Sequence, residues 1–175
     1  MALLIVPGLG GSGPEHWQTR WEALDLRCTR LEQADWDQPR RGEWVDVLER
    51  AVLAAPSEVV LIAHSLGCIT VAHWAARGSV QRVRGALLVA PADVEQGIAL
   101  DAVPRCFAPV PLAPLPFRSI VVASADDPYA SLERARAFAH AWGAEFEDVG
   151  AQGHINADSH LGDWEQGRAI LQRLL

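Results

Sequence analysis

The sequence predicts an α/β fold: a three-layer α/β/α sandwich around a mostly parallel sheet of about six strands. Apolar strand-like runs alternate with helical patterns from end to end, as repeated β-α units require. The central runs, Val59–Ala63 and Ala86–Ala90, are continuously apolar, as strands covered on both faces are. The chain of 175 residues shows no internal repeat and no dividing linker, so a single domain spanning 1–175 is expected.

Leu3–Val6 reads as the first strand. Ser12-x-x-Glu15 has the form of a capping box for a helix that places Trp17, Trp21 and Leu24 on one face. Arg27–Leu31 is a weak second strand, and Trp44, Val47, Leu48 and Ala51 repeat at helical spacing. Val59–Ala63 is the third strand, followed by a helix over Leu66–Ala76 that is apolar nearly all round and therefore buried. Ala86–Ala90 and Ile120–Ala123 are the fourth and fifth strands. Ala135, Phe138, Ala139 and Trp142 mark an amphipathic helix, Glu145–Val149 a short edge strand, and Trp164, Leu171 and Leu174 a closing helix. The segment 91–116 departs from this pattern. It holds six of the eleven prolines and cannot be a continuous helix. Its place after the fourth strand makes it a loop at the rim of a ligand pocket; a solvated connector is the alternative.

Composition excludes several chemistries. A net charge of −7 gives no surface for nucleic acid or for an anionic membrane. The opening Met-Ala-Leu-Leu-Ile-Val-Pro-Gly has no basic n-region, and its apolar run is too short for a signal peptide or a membrane span. Cys28, Cys68 and Cys106 are widely spaced, with no zinc pattern, and suggest reduced thiols in a cytoplasmic protein. All 15 basic residues are arginine. Without lysine there is no Schiff-base or pyridoxal-phosphate lysine and no Walker A lysine.

The most informative segment is Val59-Val60-Leu61-Ile62-Ala63-His64-Ser65-Leu66-Gly67. A strand that reverses into a helix through one serine is a nucleophile elbow. Strand and helix nearly touch there, so the residues two before and two after the serine must be small. Gly67 meets that need, and Ala63 stands where the usual pattern has glycine. The turn lifts the Ser65 hydroxyl above the sheet and leaves the Leu66 N–H at a helix N-terminus, aimed at a developing oxyanion. Alone, the pattern also fits a serine that merely caps a helix.

A serine nucleophile needs a base, and the base needs an orienting carboxylate. The fifth strand runs into Ser124-Ala125-Asp126-Asp127-Pro128-Tyr129, which places a carboxylate just past a strand end. Asp127, directly before Pro128, is the expected acid, with Asp126 as its alternative; both could instead shape the turn or cap the helix beginning near Ser131. Among six histidines, His154 lies in the glycine-flanked loop Gly150-Ala151-Gln152-Gly153-His154 after the last strand and is the expected base, with His160 as fallback. Structural roles suffice for His16, His73 and His140, and His64 is expected to point away from Ser65. His154, Asp158 and His160 share no register that would converge them on a metal, so neither metal nor cofactor is expected.

The second oxyanion donor is expected in Val6-Pro7-Gly8-Leu9-Gly10-Gly11-Ser12, from the Leu9 N–H, with the glycines admitting close approach of substrate. The same loop carries a competing signal. Gly8-x-Gly10-x-x-Gly13 follows a strand and precedes a helix, and Glu32 or Asp35 stands about 20 residues on, as in a dinucleotide fingerprint. That reading leaves the serine turn, the Asp-Pro strand end and the Gly-His loop unexplained, whereas a hydrolase site uses all four features. A non-enzymatic binding protein on the same fold is the third reading.

Four segments carry a family resemblance: Val6–Gln18 with its Gly-Pro-Glu-His-Trp-Gln, Ala63–Gly67, Asp127-Pro128-Tyr129 and Gly153-His154-Ile155-Asn156. Over nearly its full length the chain resembles a small serine-hydrolase family that includes the retinoblastoma-binding hydrolase and bacterial YdeN-type proteins. The resemblance implies a compact α/β-hydrolase fold without a large lid, a Ser65–Asp127–His154 triad and hydrolysis of a small-molecule ester or amide. It also suggests that His16 and Trp17, beside the oxyanion loop, shape the substrate pocket, together with Gly10 of the loop itself, although core packing explains Trp17 equally well. The retinoblastoma-binding Leu-x-Cys-x-Glu pattern fails at Leu26-x-Cys28-x-Arg30, so no such partner is implied. With no room for a cap between strands 4 and 5, the pocket should be shallow and open, lined by Leu9, Leu66 and part of the proline-rich loop.

Overall fold

A computed structural model of the chain describes residues 1–96 and 104–175. Among these residues six strands form one sheet: β1 (Ala2–Val6), β2 (Cys28–Arg30), β3 (Val59–His64), β4 (Val83–Val89), β5 (Arg118–Ala123) and β6 (Glu145–Asp148). Their spatial order is β2-β1-β3-β4-β5-β6 and every pairing is parallel. Among the described residues five α-helices accompany them: α1 (Trp17–Leu24), α2 (Arg41–Ala54), α3 (Leu66–Ala75), α4 (Leu132–Trp142) and α5 (Glu165–Gln172). The expected parallel sandwich is therefore present.

Side chains alternate across a strand, and the two faces feed two cores. Leu4, Val6, Leu61, Ala63, Ala86, Leu88 and Val121 meet α2, α3 and α4 through Leu48, Ile69, Phe138 and Trp142. Leu3, Val60, Ile62, Leu87, Val89, Ile120 and Val122 meet α1 and α5 through Trp17, Trp21, Ile170 and Leu171. Both layers are close-packed, so truncating Leu48 or Ile62 to alanine would cost about 2–5 kcal/mol. As expected from its apolar sequence, α3 is buried nearly all round, packed against β3 and against α2, which itself reaches β1.

The start of α1 differs from the expected capping box. Ser12 takes a left-handed conformation, and its hydroxyl donates to Gln18 Oε1 at 2.7 Å. The helix begins only at Trp17, with His16 as its cap: His16 Nδ1 accepts the Gln18 N–H. Pro14 explains the delay, because it pushes Gly13 out of the helical region. Leu24 ends the helix largely in solvent and does not share the buried face of Trp17 and Trp21. Within 91–116, Arg105–Phe107 forms a short 3-10 turn and Phe107 is buried; the part of the expected loop at 97–103 lies outside the described residues.

The strand order places the site. The chain leaves β1 for β2 on one side and returns to β3 on the other. The carboxyl ends of β1 and β3 thus flank the switch point, where open α/β sheets form a ligand crevice.

Candidate active site

Ser65 lies between β3 and α3 with φ 54° and ψ −120°. A non-glycine residue rarely takes a positive φ, and the crowding around it keeps it there. A Cβ placed on Gly67 would lie 2.2 Å from the Val6 carbonyl oxygen and 2.8 Å from that of Pro7, so only glycine lets α3 pass this close to the end of β1. Gly8 is constrained too, though less tightly: its Cβ would sit 2.9 Å from Ser65 Cβ and 3.2 Å from Leu66 N. The glycine loop therefore runs directly beside the serine turn.

Three side chains from three strand ends meet here. The Ser65 Oγ lies 2.8 Å from His154 Nε2, and His154 Nδ1 lies 2.9 Å from both carboxylate oxygens of Asp127. A carboxylate only accepts, so Nδ1 carries the ring proton, and Nε2 is left to accept from the serine hydroxyl. The Tyr129 N–H donates to Asp127 Oδ1 at 2.9 Å, and the Tyr129 ring packs 4.4 Å from the imidazole of His154. All three polar side chains are buried.

Asp126 faces elsewhere. Its Oδ1 accepts the Ser124 hydroxyl at 2.8 Å and the Gly153 N–H at 2.7 Å. The Ser124 hydroxyl oxygen accepts the Gln152 N–H, so this pair ties the end of β5 to the loop bearing His154. These hydrogen bonds, led by that from Ser124, hold the Asp126 carboxyl below its usual range. His160 is exposed and makes no contact with Ser65 or Asp127; its backbone closes the 3-10 turn Ala157–Ser159. Among the described residues no group of three potential ligands is placed to hold a metal ion.

On the donor side, Leu66 opens α3, so its N–H has no intrahelical acceptor. Leu9 opens a 3-10 turn over Leu9–Gly11 and is free of that turn's own bonding. The Gly10 N–H donates to Trp36 and the Gly11 N–H to Gly8. Gly10 and Gly11 both have φ near +75°, which glycine adopts at little cost.

A cavity of about 230 Å³ opens over these groups, lined in part by Leu9, Gly10, His16, Leu66, Pro104 and Tyr129. Trp17 does not line it. Its indole is 1 % exposed and packs with Trp21 and Trp164 in the core. Sequence reasoning missed Asn156 and His64 as lining residues. His64 also departs from its expected direction: its ring lies 4.8 Å from that of His154 and 4.6 Å from that of His16. The left-handed turn at Ser65 breaks strand alternation, so the residue before the serine need not face away. Burial, reinforced by Arg30 and His154, lowers the His16 pKa to about 3. His64 is likewise held well below the usual imidazole value, first by burial and then by its histidine neighbours.

Known proteins agree with this architecture. The sequence profile of the family described as "Serine hydrolase" matches residues 3–173. The chain is similar to a structure described as a YdeN-like hydrolase from Pectobacterium atrosepticum, at 34% identity and a TM-score of 0.86, over 99% of this chain and 89% of that one. The ydeN product of B. subtilis shares the fold at 18% identity and a TM-score of 0.76, over 99% and 97% of the two chains. So does Est1E from Butyrivibrio proteoclasticus, solved with ferulic acid, at 11% identity and a TM-score of 0.74, over 99% and 89%. No protein of curated function matches in sequence. Nearly the whole chain is thus accounted for by one family and one architecture, and the chain belongs to the serine hydrolase family.

Proposed function

We propose that this chain hydrolyses small ester or amide substrates through an acyl-enzyme formed on Ser65. The observation that carries this reading is the unbroken hydrogen-bonded line from Asp127 through His154 to Ser65, at 2.9 and 2.8 Å. Ser65 Oγ attacks the substrate carbonyl while His154 Nε2 takes its proton. Asp127 holds the imidazole in the required tautomer and stabilises the imidazolium. The Leu66 and Leu9 N–H groups donate to the oxyanion, a preorganised contribution that needs no reorganisation during reaction. His154 then returns the proton to the departing alcohol or amine. Water, activated by the same histidine, attacks the acyl carbonyl and releases the acid and free Ser65.

The glycine loop supports this reading over dinucleotide binding. In the dinucleotide fingerprint the last glycine leads into the helix, whereas here Pro14, Glu15 and His16 separate Gly13 from α1. Asp35 spends its carboxylate on the N–H groups of Asp37 and Gln38 in its own turn. No helix of the described residues is long and apolar enough to cross a membrane, and three free cysteines fit a cytoplasmic setting. Intact-mass labelling with a fluorophosphonate tests the proposal. One phosphonyl adduct, lost in Ser65→Ala, is expected; a folded parent protein that takes no adduct would overturn it.

A further inference from the structure

The sequence motif His16-Trp17-Gln18 is not accounted for by the chemistry above, and Trp17 does not reach the cavity. Its indole N–H instead donates to the carbonyl of Ile155 at 2.8 Å, across 138 residues of sequence. The preceding carbonyl is held as well. His64 Nε2 lies 2.9 Å from the carbonyl oxygen of His154, and because a carbonyl only accepts, that nitrogen is the donor. Two consecutive peptide carbonyls at the candidate base are thus each bound by a buried ring N–H.

Between these two anchors the backbone is strained. Ile155 has φ 48°, a left-handed conformation that a β-branched residue adopts at a cost and keeps only where its surroundings over-determine it. The Ile155 side chain is fully buried in the core layer that holds Trp17 and Trp164. The other side of the loop is held too, by Asp126 on the Gly153 N–H and Ser124 on the Gln152 N–H.

We propose that Trp17 and His64 are positioning residues for the base: their ring N–H groups impose the left-handed turn that sets the His154 imidazole between Asp127 and Ser65. This rests on the catalytic reading of Ser65, His154 and Asp127. Gln18 extends the device. Its amide N–H donates to the Ile62 carbonyl in β3, and its Oε1 accepts the Ser12 hydroxyl. The first turn of α1 therefore ties the glycine loop, the nucleophile strand and the base loop to one rigid point. His64 can serve beside the base because it stays neutral: burial suppresses its protonation, so no fixed positive charge faces His154.

Trp17→Phe keeps an aromatic ring in the core and removes the donor. Released from its anchor, the base should lose alignment without loss of substrate binding. The expected result is a kcat for p-nitrophenyl butyrate lowered about ten- to a hundredfold with KM within about twofold. The downfield proton resonance of His154 Nδ1–H should weaken or shift in the same variant, which a merely structural tryptophan would not cause. If Trp17→Phe does not fold, His64 gives the same test. His64→Gln retains an N–H donor and should keep much more of kcat than His64→Phe. A folded Trp17→Phe with parental kcat and resonance, or equal kcat in the two His64 variants, would overturn the proposal. A parent that takes no fluorophosphonate and cleaves no ester would overturn the catalytic reading instead. The resonance reports the His154–Asp127 pair without turnover, so it would still decide the positioning claim.

Discussion

Replacing Asp127 by asparagine should disable the protein through a proton, not through a change of shape. Both carboxylate oxygens lie 2.9 Å from His154 Nδ1, and one of them also accepts the Tyr129 N–H. An amide in the same place has one oxygen and one NH₂ group. The Tyr129 N–H claims the oxygen, which turns the NH₂ toward His154. Nδ1 must then become an acceptor, so the ring proton moves to Nε2, where it faces the Ser65 hydroxyl 2.8 Å away. The base is now protonated on its working nitrogen and has lost its counter-charge. In serine proteases the same exchange lowers kcat by about 10⁴, and a loss of that order is expected here for nitrophenyl ester hydrolysis. Tm should hardly change. Asp126→Asn is the internal control. Its oxygen can still accept from Ser124 and Gly153, so activity within a few-fold of the parent is expected. Full activity in Asp127→Asn would refute the reasoning, and a reversed ranking of the two variants would move the acid by one residue.

Three further outcomes follow from packing, ionisation and cavity size. Gly67→Ala drives a methyl into the Val6 carbonyl, a backbone atom that cannot swing aside; overpacking of about 1–3 kcal/mol should lower Tm by about 3–10 °C and remove esterase activity, and a variant with parental Tm and turnover would contradict this. His16, with its pKa lowered to about 3, binds no proton in the folded state where the unfolded imidazole does, so stability is complete above about pH 6.5 and falls as pH drops toward 3. Between pH 6.5 and 4.5 this one group should cost about 2 kcal/mol. His16→Asn keeps an N-cap acceptor for Gln18 and should flatten the urea-unfolding profile by about that amount; identical slopes would refute the assignment. The described residues leave a cavity of about 230 Å³ over Ser65, lined in part by Leu9, Leu66 and Pro104, and no long channel is expected beyond it. From acetyl to butyryl esters kcat/KM should rise up to about fourfold per methylene, the equivalent of ~0.8 kcal/mol, and then level off. A steep rise to twelve carbons would reveal a lipid channel.

Much of the scaffold was legible because its physics is local. β3 is covered on both faces and reads as an apolar run; the turn at Ser65 forces Gly67 to be small; α4 shows its buried stripe as Ala135, Phe138, Ala139 and Trp142. The strand ends that carry Asp127 and His154 could be found for the same reason. Local signals also misled where a neighbour outweighed them. Ser12 and Glu15 have the spacing of a capping box, yet Pro14 between them blocks the helix and passes the cap to His16. Other features have no local signature at all. That Trp17 holds a carbonyl in the base loop, that His64 turns toward His154, and that Asp126 braces Gly153 depend on contacts spanning 138, 90 and 27 positions.

The division between legible and hidden residues corresponds to a division of labour. Groups that would carry out chemistry sit at strand ends, where each is announced by the turn that must expose it. Groups that set their geometry come from whichever element packs alongside, and any residue with a donor at the right depth could serve. A helix one turn further from β1 would present a different side chain to Ile155, with no change in the Ser65, Asp127 or His154 motifs. The delayed start of α1 therefore matters. Because Pro14 postpones the helix to Trp17, the first turn places His16 at the cavity, Trp17 on the base loop and Gln18 against β3, three successive residues on three segments of one site. Moving that start by one residue, for example by deleting Glu15, would rotate the turn by roughly 100° and detach all three at once. Such a variant should retain the sheet by circular dichroism and lose fluorophosphonate labelling. Parental labelling after the deletion would show that the first turn of α1 does not set the site.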